Sequence, residues 1–178
     1  MYGGNNTRSR RLAVVAAAVC ALGLVPMTTA SAAEQAPSRC PSETNYTVTH
    51  NYGDVIVPIG APQANTNYTP YNQVSDFSAE VSGTVTFTYN ASTAVSASVV
   101  VADVSATVGY SLSLSLTAKL GNTVHVTAGP GRTAHAQYGV YRLKTVGNYV
   151  VTQPTCAATT TVATAWSPHF VGWLSWVS

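Results

Sequence analysis

Residues 81–99 read VSGTVTFTYNASTAVSASV, and residues 104–120 read VSATVGYSLSLSLTAKL. In the first run the odd positions carry Val81, Val85, Phe87, Tyr89, Ala91, Val95, Ala97 and Val99, with Gly83 and Thr93 completing the row. The even positions hold Ser, Thr and Asn, interrupted only by Ala94. In the second run the parity reverses: Val104, Ala106, Val108, Tyr110, Leu112, Leu114, Leu116, Ala118 and Leu120 are even, against Ser, Thr, Gly109 and Lys119. A period of two belongs to a strand with one apolar face, whereas a helix needs apolar residues three and four apart. The wealth of Val and Thr supports the same choice.

The reversal of parity predicts how the runs pair. With Val100, Val101, Ala102 and Asp103 as a four-residue connection, Val99 stands opposite Val104, Val95 opposite Val108, Phe87 opposite Leu116 and Gly83 opposite Leu120. A slip of one residue would turn one apolar set onto the hydroxyl face, so the parity of the pairing is strongly specified. The legs have 19 and 17 residues, where an ordinary strand has about five or six. A strand crossing a bilayer needs roughly 9–11, so each leg is long enough to cross one with residues to spare.

The chain opens with the pattern of an export signal. Arg8, Arg10 and Arg11 precede an apolar run over residues 12–25, and Ala30-Ser31-Ala32 makes a small-x-small cleavage site. Cleavage after Ala32 leaves 146 residues, enough for a single β domain over 33–178. The 8 Lys and Arg of the whole chain outnumber the 6 Asp and Glu, but three arginines leave with the signal and the remainder carries a formal charge of −1. That balance gives no electrostatic case for nucleic acid. Cys20 lies in the apolar run, so Cys40 and Cys156 remain as the pair expected to form a disulfide in a secreted, extracellular chain.

Residues 44–80 alternate short apolar runs with Gly53, Pro58, Gly60, Pro62 and Pro70, which predicts short strands and loops. Tyr46, Tyr52, Tyr68 and Tyr71 are candidates for a surface that binds glycan or lipid headgroups, and rim packing is the competing reading. Residues 123–151 read as a β-meander, with turns at Ala128-Gly129-Pro130-Gly131 and at Val146-Gly147-Asn148. The tail 166–178 concentrates Trp166, Trp173 and Trp176, either as interface anchors or as a last strand closing the core.

No Gly-x-Ser-x-Gly elbow, His-Glu-x-x-His helix or phosphate-cradling loop occurs, and the carboxylates are scattered. The sequence therefore predicts no enzyme, no cofactor and no metal centre.

The Ser/Thr-rich amphipathic hairpin, its apolar tip, and the strand, Pro/Gly turn and aromatic strand that follow resemble the pore-forming module of the aerolysin and epsilon-toxin family over residues 75–151. The resemblance implies an elongated, antiparallel all-β protein, secreted as a soluble monomer. It also implies homo-oligomerisation on a target membrane and release of one hairpin per subunit into a shared barrel. Residues 81–99 and 104–120 would be the barrel legs and residues 100–103 the tip. The residues themselves leave a second reading open: a non-enzymatic secreted β-sandwich that recognises glycan or another cell-surface component, its apolar faces inward and its hydroxyls in water.

Overall fold

The structure is a computed structural model that describes residues 39–178; the expected export signal over 1–32 lies outside the described residues. The described chain is predominantly antiparallel β, as its alternation predicts, with a single helix. Strands β1 (Glu43–Pro58), β8 (Thr133–Thr152) and β9 (Ala158–Val177) form the long central sheet, in which β8 pairs with β1 on one side and with β9 on the other. Short strands extend it: β2 (Gln63–Thr66) pairs with β8, and β5 (Thr88–Ala91) adds to the outer edge of β9. Two further ladders join β3 (Gln73–Ser78) to β7 (Thr123–Ala128) and β4 (Gly83–Thr86) to β6 (Ser115–Ala118). The helix, α1, spans Ala97–Val108.

The buried residues of β8 explain where the layers sit. Ala134, Ala136, Tyr138 and Val140 are buried in its first half, and Leu143, Thr145 and Tyr149 in its second. The switch from even to odd numbers means that the two halves bury opposite faces. β9 keeps step through a bulge at His169, where Phe170 pairs with Tyr141 but Pro168 with Arg142. The β3/β7 and β4/β6 ladders cover the first half through Phe77, Val126, Val85 and Ala118. Helix α1 covers the second half, on Tyr46, Leu143, Tyr149, Ala163 and Ala165. The chain between 83 and 118 therefore wraps around the edge of β9. A disulfide joins Cys40 to Cys156 across 116 residues.

Three expectations need correction. Residues 81–120 are not one continuous hairpin: only β4 and β6 pair with each other, β5 has gone to β9, and 97–108, including the expected tip, is helical. The reason is a second period in the same residues. Ala97, Val100, Val101, Val104 and Val108 recur three and four apart, and Val100, Val101 and Val104 are buried on that stripe. Secondly, residues 123–151 form no meander, because β7 pairs with β3 and β8 runs straight through Gly147. Gly147 lacks a positive φ and serves close approach instead: a Cβ there would stand 2.6 Å from the Tyr46 ring. Thirdly, residues 43–58 form one long strand, with Gly53 absorbed into a bulge at φ +76°.

Candidate functional site

The segment that carries the two-faced pattern is held in three pieces. Its root is a ribbon. In the β3/β7 and β4/β6 ladders every pair of partners has residue numbers adding to 201, from Gln73 with Ala128 to Thr86 with Ser115. Between the two ladders Ala79 N–H donates to Asn122 O at 2.8 Å, in register, while Gly121 N–H donates back to Ala79 O at 3.0 Å, one residue out of it; the pairing returns to 201 at Gly83 with Ala118. Phe87 N–H donates to Leu114 O at 2.7 Å and extends it one step further. The ribbon then opens: β5 pairs with β9, from Thr88 with Trp166 to Ala91 with Ala163. On the return leg Ser113 N–H donates to Pro168 O at 2.7 Å.

Beyond the opening lies α1, a helix with poor intrinsic support. Half of its twelve residues are Val or Thr, which cost up to about 0.7 kcal/mol each relative to Ala in a helix. Ser96 makes no side-chain cap, and neither an acidic first turn nor a basic last turn is present. Only the C-terminus is well made, with Gly109 left-handed at φ 79° and its N–H on Ser105 O. Tertiary contacts supply the rest. Val100 and Val104 are fully buried, worth roughly 1.5–3 kcal/mol each, and Ala163 and Ala165 give them a flat floor.

Polar ties fasten the helix at both ends and at its middle. Tyr46 N–H, on β1, donates to Asp103 Oδ2 at 2.6 Å. Ser96 N–H donates to the Tyr149 hydroxyl at 2.9 Å. Ser105 Oγ donates to Val101 O at 2.7 Å and accepts from Leu112 N–H at 3.1 Å. Tyr149 and Tyr46 were not singled out by their pattern as partners of this segment; each sits in an ordinary strand, and only the fold brings them under α1.

The expected apolar face is thus divided. Val85, Val95, Val104 and Leu112 are buried; Phe87, Val99, Val108 and Leu116 are half-buried; Val81, Tyr89, Tyr110, Leu114 and Leu120 are exposed. Val100 and Val101 of the expected tip are buried, Ala102 is exposed and Asp103 is half-buried.

The surface-binding candidates separate as well. Tyr46 is 3 % exposed and donates its hydroxyl to Ala163 O, so it is a core residue; burial raises its pKa, opposed by the neighbouring Thr145 hydroxyl. Trp173 packs on Tyr138 and donates Nε1 to Asn122 Oδ1, and Trp166 is half-buried in β9 opposite Lys144. Tyr52, Tyr68 and Tyr71 are exposed, and Trp176 is exposed and stacked on His135. A row missed in the sequence runs along the open face of the first half of the sheet: Phe170 stacked on Tyr141, then Leu174 and Trp176. Its alternation in β9 was visible, but which face lacked a covering layer was not. Tyr110 and Tyr141 sit near it, their pKa values raised by burial and then by the charge of Asp54.

Among the described residues no group of three or more His, Cys, Asp or Glu side chains is placed to hold a metal, and no helix is long and apolar enough to cross a membrane. His125 pairs with Asp76 at 2.5 Å on the exposed β3/β7 ribbon, and His169 with Asp54 at 2.8 Å. No protein-family model matches the sequence, and no curated protein is significantly similar to it.

Proposed function

We propose that the chain is a secreted β-pore-forming protein that keeps its membrane-crossing hairpin folded away, part as an edge strand and part as a helix. One observation carries this reading: the register of the existing ribbon, continued, completes the hairpin. Beyond the Phe87–Leu114 bond lie residues 88–113. At a partner sum of 201 they divide into two legs of eleven residues, 88–98 and 103–113, and a four-residue tip, 99–102. A bilayer needs roughly 9–11 residues per strand. The ribbon already formed would stay outside the membrane as a stem.

The continued register keeps the two faces clean. Tyr89 meets Leu112, Ala91 meets Tyr110, Val95 meets Ala106 and Ala97 meets Val104 on one side, with Ser, Thr and Asn filling most of the other. Phe87, Tyr89 and Tyr110 all fall near the stem end of the legs, where a barrel carries its aromatic girdle. A lone hairpin would leave unsatisfied backbone groups in hydrocarbon, so insertion requires several subunits and a closed barrel.

Paired cysteines test this. Asn90→Cys with Thr164→Cys joins β5 to β9, directly opposite residues in the present ladder. Its disulfide must block dye release from liposomes, and reductant must restore it. Thr84→Cys with Thr117→Cys joins partners within the stem, which the pore retains, so that disulfide must leave release intact. Wild type taken through the same reduction controls for Cys40–Cys156. Equal release from both oxidised variants would refute the reading.

A second reading, a non-lytic module that binds cell-surface glycan, is favoured by the exposed rings of Phe170 and Trp176, with half-buried Tyr141 stacked on Phe170. It predicts glycan binding lost in Trp176→Ala, with intact vesicles throughout.

A further inference from the structure

We infer that Asp103 sets the ion selectivity of the pore, as a ring of carboxylates at the mouth farthest from the stem; this rests on the pore reading above. With the expected connection 100–103, Asp103 would be the charge at the leading tip. The observed ladders are displaced from that register by two, to partner numbers adding to 201. Parity is unchanged, so the faces are the same, but the tip moves. It becomes Val99-Val100-Val101-Ala102, with no charge, and Asp103 becomes the first paired residue, opposite Ser98. A tighter two-residue turn at Val100-Val101 is disfavoured, because such turns need positive φ and β-branched residues resist it.

Asp103 then lies on the same face as Ser105 and Thr107 of its own leg. With the Val and Leu face against lipid, that face lines the water-filled lumen. Residues 88–113 contain no other Asp, Glu, Lys or Arg. Asp76, Glu80 and Lys119, which share the parity of this face, belong to the stem outside residues 88–113. One carboxylate per subunit therefore dominates the field of the transmembrane lumen. Rings of Asp select cations, and the narrow, otherwise neutral channel leaves no opposing charge at that depth. In the present fold the same carboxylate holds the Tyr46 N–H, a role that its amide analogue keeps because the Asn oxygen also accepts.

The test is the reversal potential of pores formed by the full mature chain in planar bilayers under a KCl gradient. Wild type is expected to prefer K+ over Cl− several-fold, more strongly at low salt, where screening is weaker. Asp103→Asn should bring the ratio near unity. Asp103→Cys, labelled from the tip side with a cationic methanethiosulfonate, should invert it, and an anionic reagent should restore it; Val104→Cys, facing lipid, should respond to neither. Conducting pores whose reversal potential ignores both Asn and the labels would overturn the assignment while leaving the pore reading standing. A wild-type chain that opens no channels would overturn both.

Discussion

Replacing Val104 with Ala separates the two things that hold α1. Val104 is fully buried on the sheet, and the substitution removes two methyl-sized groups, about 1.6 kcal/mol of transfer free energy. A partly relaxed cavity adds up to about 1 kcal/mol, while the better helix propensity of Ala returns roughly 0.6 kcal/mol. The net loss should be about 1–2 kcal/mol. Thr107 provides the contrast. It is exposed and its hydroxyl turns back to Asp103 O at 2.8 Å, so Thr107→Ala should stabilise by a few tenths of a kcal/mol. Urea titration gives both values, with the m-value unchanged. Amide exchange over 97–108 locates them: Val104→Ala should speed exchange there before β8 is affected. Packing is not what makes this segment helical if Val104→Ala is neutral, or if Thr107→Ala costs more than Val104→Ala.

Replacing both Cys40 and Cys156 with Ser should cost about 4–5 kcal/mol by the chain-entropy argument for a loop closed across 116 residues, seen as a lower urea midpoint. Burial raises the Tyr46 pKa, so its stabilising contribution is complete below the ordinary phenol value near 10 and declines as pH rises through the higher folded value. Tyr46→Phe should flatten the alkaline limb of the stability curve and, by leaving Ala163 O without its donor, cost about 1 kcal/mol at neutral pH. Gly147→Ala should destabilise by more than 2 kcal/mol, because the new Cβ strikes the Tyr46 ring and β1 backbone; near-UV circular dichroism should report the displaced ring.

Some features were legible because they depend on near neighbours in the chain. Alternation marked 81–91 and 114–120 as β material, and β4 with β6 pair at the expected parity. The cysteine pair was evident once the apolar N-terminal run was set aside, and the Trp-rich tail is part of the last strand of the central sheet. The tip was not legible. Val99-Val100-Val101 continues a strand pattern on one side and a helical stripe with Val104 and Val108 on the other, and nothing within the segment ranks the two. Gly147 likewise reads as a turn in isolation, and only the Tyr46 ring lying over it explains its use.

The order of residues alone determined the side-chain period, the odd parity of partner numbers and the cross-link, since each follows from spacing along one strand or from chemistry available only to cysteine. The tertiary structure decided that residues 97–108 are helical, that the ribbon runs at 201, and that β5 leaves it for β9. Those outcomes turn on which distant surface offers the better burial. Ala163, Ala165 and Tyr149 provide it here, more than forty residues along the chain from the valines they receive.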